Sequence, residues 1–105
     1  MTFPDPLKIA YVTGTDRNRM LNTAILHASF HHHMPEQTLH ICDFGMDRNE
    51  RGFWQTVGGY RPRPARLPAR LHPWFYKAGL CEFVDTSRYD AVVWMDADML
   101  VMAPV

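Results

Sequence analysis

Tyr89-Asp90-Ala91-Val92-Val93-Trp94-Met95-Asp96-Ala97-Asp98-Met99-Leu100-Val101 decides how this chain folds. Five apolar residues in succession, Ala91 to Met95, stand between Asp90 and Asp96. A short unbroken run of this kind reads as a strand buried on both faces, as inside a parallel sheet. It leads directly into two carboxylates. Side chains at i and i+2 of an extended segment point the same way, so Asp96 and Asp98 present their oxygens to one point beyond the strand's end. Such oxygens are hard ligands suited to Mn²⁺ or Mg²⁺, ions that keep several waters and take further ligands from substrate phosphates. A metal-diphosphate site is therefore expected. The competing reading is local, because Asp residues in a turn after a strand also cap helices and bond to nearby backbone.

The whole chain of 105 residues, 47% hydrophobic and 21% charged, suffices for one modest core and excludes two domains. Formal net charge is zero, so no overall field favours nucleic acid or a membrane surface, although the signs are unevenly spread. Arg51 to Cys81 carries six basic residues and no acidic one; Glu82 to Asp98 carries five acidic residues against Arg88. Cys42 and Cys81 have no metal-type spacing and read as reduced thiols of an intracellular, cytoplasmic protein. Met1 to Pro6 lacks the basic start and apolar core of a signal peptide, and no run approaches membrane-spanning length.

Strand and helix signals alternate along the chain. Leu7 to Thr13 is rich in β-formers and predicts a first strand, broken by Gly14-Thr15-Asp16. From about Asn18, Met20, Leu21, Ala24, Ile25 and Ala28 recur at helical spacing, with Pro35 as the latest end. Thr38 to Phe44 alternates as a second strand, closed by Gly45. Asp47 caps a short helix carrying Phe53, Trp54 and Val57, which stops at Gly58-Gly59. The proline-rich run from Arg61 to Arg70 predicts an exposed loop in which a degenerate edge strand could lie. Pro73 opens a helix bearing Trp74, Phe75, Ala78, Leu80, Cys81, Phe83 and Val84 before the Asp90 strand. The sum, β-α-β-α-loop-α-β, predicts a Rossmann-like, mainly parallel α/β sheet with flanking helices. Ligands of such sheets bind beyond the carboxyl ends of the strands. Three groups fall there: Thr13, Thr15 and Asp16; Asp43 and Gly45; Asp96 and Asp98.

Tyr89 to Val101 resembles the tyrosine-aspartate, hydrophobic run, Asp-Ala-Asp segment of GT-A fold glycosyltransferases, most of all the retaining family that includes glycogenin and galactinol synthase. Lys8-Ile9-Ala10-Tyr11-Val12-Thr13-Gly14-Thr15-Asp16 resembles that family's opening strand and nucleotide-facing turn, and Trp74-Phe75-Tyr76-Lys77 its lysine-bearing helix. The resemblance implies transfer of a sugar, of hexosyltransferase type, from a nucleotide diphosphate-sugar donor to an acceptor, with Mn²⁺ (or Mg²⁺) bridging protein and diphosphate. It makes Asp98 a direct metal ligand and gives Asp96 both metal and donor ribose. Thr13, Thr15 and Asp16 then lie near base and ribose, and Lys77 near diphosphate or sugar. It also implies that residues 1–105 form the N-terminal, nucleotide-sugar-binding half of one GT-A-like domain, incomplete and inactive alone. The Asp96 strand would then leave an open sheet edge prone to self-association.

Other residues have simpler readings. His27 and His31 stand at i, i+4 near His32, His33 and His40, but with no carboxylate or cysteine at matching spacing they read as solvated or helix-end positions. The Arg61 to Arg70 run, without interleaved aromatics, reads as a solvated loop and not a nucleic-acid contact. Trp54 and Trp74 read as core, although either could stack on a sugar or base. Lys77 reads equally as a phosphate contact or as a cation snorkelling from an apolar helix face. Two other function classes compete with the transferase. One is a haloacid-dehalogenase-like phosphatase using Asp96 and Asp98 as nucleophile and acid/base; the other is a non-catalytic, degenerate nucleotide-sugar-binding domain.

Overall fold

The computed structural model describes residues 7–69 and 71–104 and, of Pro73 and Trp74, the backbone alone. Four strands, β1 (Ile9–Thr15), β2 (Leu39–Asp43), β3 (Tyr60–Arg61) and β4 (Ala91–Trp94), form one parallel sheet in the order β3-β2-β1-β4. Helix α1 (Met20–His33) joins β1 to β2 and α2 (Arg48–Val57) joins β2 to β3. The return to β4 passes through α3 (Pro73–Ala78), α4 (Leu80–Phe83) and one 3-10 turn at Thr86–Arg88. This is an α/β fold with a parallel sheet and flanking helices, as the alternating signals predict.

Alternation along the strands divides the core in two. Tyr11, Leu39 and Ile41 face Leu26 and Phe30 of α1 and Trp54 of α2. Ala10, Val12, Cys42 and Phe44 face the other way, onto Tyr76 and Phe83. The helices thus change faces where the strand order reverses, as expected when every crossover keeps one hand. With both faces covered, every residue of β2 is buried, and the alternation expected there gives way to continuous burial.

Local chemistry accounts for the ends of α2. Glu50 N–H donates to Asp47 Oδ1 at 2.9 Å and Asp47 N–H donates back to Glu50 Oε1 at 3.0 Å, a complete capping box. Gly58, at φ 109°, and Gly59, at φ 83°, end it in the left-handed region that favours glycine.

Several expectations are corrected. Strand β1 runs on through Gly14 and Thr15, which pair with Cys42 and Asp43. Helix α1 buries Thr23, Leu26 and Phe30, whereas Leu21 and Ile25, expected inside, are 74% and 48% exposed. Small or apolar residues surround this helix, so spacing alone did not fix its face. The packing of Phe30 edge-on against Tyr11 at 5.4 Å does, and the Thr23 hydroxyl faces inward because it donates to Arg19 O at 2.9 Å. The edge strand hidden in the proline-rich run is β3, at its very start; Arg70 lies outside the described residues. The single helix expected after Pro73 is divided at Gly79, and the packing of the Trp74 side chain lies outside the described residues. Finally, Ala91 is exposed and Val92, Val93 and Trp94 are half-buried, because β4 pairs with β1 alone among the described strands. Cys42 and Cys81 are free thiols, and burial pushes Cys42 up to about 12. No helix among the described residues is long and apolar enough to cross a membrane.

His40 of β2 shows what burial on both sheet faces demands. It is 4% exposed, Nε2 lies 3.3 Å from the Tyr89 hydroxyl, and Nδ1 has no partner among the described residues. Burial, then the nearby Arg61 charge, pushes it down from 6.5 to about 4. The unfolded chain therefore takes a proton here below about pH 6.5 while the folded chain resists until near pH 4, so stability falls as pH drops through that window. His40→Phe should flatten the pH dependence of urea unfolding between those limits, by roughly 3 kcal/mol at the acid end. An unchanged slope would show that His40 is solvated.

Candidate functional site

The strand order reverses between β1 and β4, and the crevice at the carboxyl ends of these two strands is where an open parallel sheet binds ligands. A cleft of about 600 Å³ lies there. Its walls bring together Thr15, which ends β1, Asp16 just after it, Lys77 from α3, and Asp96 and Asp98 after β4. Residues from three separated parts of the sequence thus meet at one place, the ends of β1 and β4 through the strand topology and Lys77 through the packing of α3.

Thr13 does not join them. It is fully buried on the face of α1 and α2, and its Oγ1 has no partner among the described residues. It lies two residues deeper along β1 than Thr15, short of the cleft. Thr15 is 1% exposed and donates through Oγ1 to Asp16 O at 3.2 Å. Asp16 folds the start of α1: its Oδ1 accepts from Asn18 N–H at 2.9 Å and its carbonyl from Arg19 N–H at 3.2 Å. Asp43, also at the strand ends, is consumed internally. Its Oδ1 accepts from the N–H groups of Gly45 and Met46, and its Oδ2 from the Tyr60 hydroxyl at 2.8 Å.

The Asp-Ala-Asp segment is not extended. Met99 N–H donates to Asp96 O at 3.0 Å, closing a turn over 96–99 that carries both exposed carboxylates into the cleft. Backbone groups with no neighbouring strand are satisfied by turning. Asp96 Oδ1 accepts from the Trp94 indole N–H at 2.6 Å and lies 3.5 Å from Lys77 Nζ. The Trp94 hydrogen bond first, then the Lys77 charge, hold the Asp96 carboxyl below the usual carboxylate range. Lys77 Nζ also sits 5.1 Å from the centre of the Trp94 ring, within reach of its π face. Asp98 makes no hydrogen bond or ion pair among the described residues. Those residues hold no cluster of three or more His, Cys, Asp or Glu side chains able to ligate a metal. Among the histidines of α1, His31 and His32 are exposed near the helix end, whereas His27 is half-buried mid-helix, stacked on His31 at 6.3 Å and edge-on to Trp54.

Sequence reasoning missed Asn18, Arg19, Phe44, His72 and Trp94 as cleft residues. For Trp94 the signal was present, two positions before Asp96 on an extended segment. For Phe44 and His72 no periodic signal existed, since only the packing of α3 against the sheet brings them in. Phe44 forms the floor, its ring parallel to those of Trp94 and Tyr76 at 5.9 and 5.3 Å. Gly14 makes room for it, because a Cβ there would overlap the Phe44 ring.

Gly14→Ala should therefore destabilise the chain by about 1–3 kcal/mol through overpacking, read as a lower urea midpoint. Adding Phe44→Leu should recover part of the loss. Simple additivity of the two would place the clash elsewhere.

No protein family, curated protein or solved structure matches the chain.

Proposed function

We propose that the cleft binds a nucleoside diphosphate-sugar together with Mn²⁺ or Mg²⁺. On this reading the chain is the nucleotide-binding half of a Rossmann-like, GT-A-type glycosyltransferase domain. The observation that carries it is the meeting of Asp96, Asp98 and Lys77 in one cleft at the point where the strand order reverses. Asp98 and the outer oxygen of Asp96 offer two hard oxygen ligands that the described residues leave without partners. A pair is a modest donor set, which suits a hard cation that takes the rest of its shell from water and phosphate.

The roles follow from charge. When the sugar-phosphate bond breaks, its electron pair goes to the diphosphate oxygen. Lys77, half-exposed and already beside Asp96, meets that charge. A bound cation supplies the remaining neutralisation. Arg19, another cleft residue, adds a second positive group whose charge reaches Asp96. Thr15 and Asp16 shape the end that takes base and ribose, and Thr13 supports them from beneath. A phosphatase would need Asp96 as nucleophile, yet two donors hold its Oδ1 and reduce its basicity. The ligand role is therefore preferred.

Asp98→Asn should abolish Mn²⁺-dependent binding of a nucleotide-sugar without changing the melting temperature, since the side chain is exposed and the replacement nearly isosteric. Calorimetry with and without EDTA measures this. Donor binding that ignores both EDTA and the substitution would sink the proposal. Lys77→Ala should weaken a nucleoside diphosphate more than the free nucleoside, because a lost ammonium acts on phosphate charge and not on the base. Equal weakening would make Lys77 structural.

A further inference from the structure

Asp96 is an exposed carboxylate on a turn, with its side chain 60% open to solvent. Left alone it would sample several rotamers and both oxygens would be interchangeable. Yet the indole N–H of Trp94 donates to its Oδ1 at 2.6 Å, a short charge-assisted bond. The donor itself is mounted rigidly. The Trp94 ring lies 5.9 Å from the Phe44 ring at an interplanar angle of 10°. Phe44 in turn stacks on Tyr76 at 5.3 Å and fills the space left by Gly14. The Tyr76 hydroxyl is tied to Pro68 O at 2.5 Å. A chain of packed rings thus runs from the core to one carboxylate oxygen.

We propose that Trp94 is a positioning residue for Asp96: its indole N–H holds Oδ1 so that Oδ2 is turned outward beside Asp98 as the cation-facing oxygen. The inference rests on the metal-donor reading above and deepens it, assigning the orientation of Asp96 to a cleft residue that is not itself a metal ligand. Lys77 cannot substitute for this bond. Its ammonium stands farther away, at 3.5 Å, on a flexible stem, and is a point charge without a preferred direction. Hydrogen-bond partners of ligating carboxylates commonly account for tenfold or more in metal affinity.

The test uses Mn²⁺ alone, titrated against the chain, with free ion read by electron paramagnetic resonance. Trp94→Phe keeps an aromatic ring against Phe44 and removes the N–H. Benzothienylalanine at the same position keeps the full indole shape without the N–H, and decides the matter if the Phe variant does not fold. Both should bind Mn²⁺ about tenfold more weakly than the unaltered chain, and the benzothienylalanine variant, which keeps the packing, should melt at an unchanged temperature. In an Asp96→Asn background Trp94→Phe should cause no further loss, an outcome that a general weakening of the cleft would not give. Affinity equal to or tighter than that of the unaltered chain in the folded N–H-free variants, or a full further loss in the Asp96→Asn background, overturns the positioning role. If Asp98→Asn still abolishes binding in that case, the metal reading stands without it. No Mn²⁺ binding by the unaltered chain sinks both.

Discussion

The parallel pairing of β1 with β4 is the constraint on which the rest depends. Ile9 to Val12 pair with Ala91 to Trp94, joining segments separated by nearly the whole chain. Side chain and backbone secure both ends. Lys8 N–H donates to the Asp90 carboxylate at 2.8 Å, Asp90 N–H donates to Lys8 O at 2.7 Å, and Met95 N–H donates to Val12 O at 2.8 Å. Register matters as much as contact. A slip of one residue would turn Trp94 to the α1 side and Met95 to the cleft side, removing the aromatic mount from under Asp96. Asp90 guards against that slip, because its carboxylate satisfies the Lys8 amide at the start of the pairing and fixes which residues follow in step.

From that register the cleft follows with few further demands. Helices α1 and α2 cover one face of the sheet, α3 and α4 the other, and the gap between the strand ends falls where the faces change over. Gly14 and Phe44 then shape the floor by a steric exchange, no side chain on β1 against a large one after β2. The same exchange parks Phe44 under Trp94. Packing and site geometry are thus one problem: the rings that fill the α3-side core are those that position the indole N–H.

What was legible in the sequence follows the same division. The α/β class and the parallel strands could be read because β-rich runs, glycine stops and the Asp47 cap are local signals. Thr15, Asp16, Asp96 and Asp98 could be grouped because topology sets the ends of β1 and β4 side by side, whereas Lys77 was reached only through the resemblance of its helix to that of a known family. The face of α1 could not, since Leu21, Ile25, Leu26 and Phe30 offer apolar atoms on several sides and only the shape of Tyr11 chooses among them. Thr13 stops short of the cleft because it lies two residues deeper along β1 than Thr15, and a position near a strand's end says nothing about depth. The turn over 96–99 was hidden because Asp-Ala-Asp is equally compatible with extended and turned backbone. The hydrogen bond from Met99 N–H to Asp96 O closes the turn.

The two contacts on Asp96 Oδ1 differ in kind, and the difference suits a binding site. The Lys77 ion pair spans 3.5 Å between side chains that are 45% and 60% exposed, so water screens it and it contributes on the order of 0–1 kcal/mol. Exchanging it for a phosphate therefore costs little, and the ammonium can move to an incoming anion without disturbing the fold. The Trp94 bond is shorter, uncharged on the donor side, and anchored through Phe44 and Tyr76 to the buried core. The Trp94 ring that carries the donor is stacked on Phe44 at 5.9 Å. One oxygen is thus held by a rigid donor and a mobile one together, so the carboxylate keeps its orientation when the mobile partner leaves. A cleft assembled in this way keeps Asp96 in place while the Lys77 ammonium adapts to the ligand.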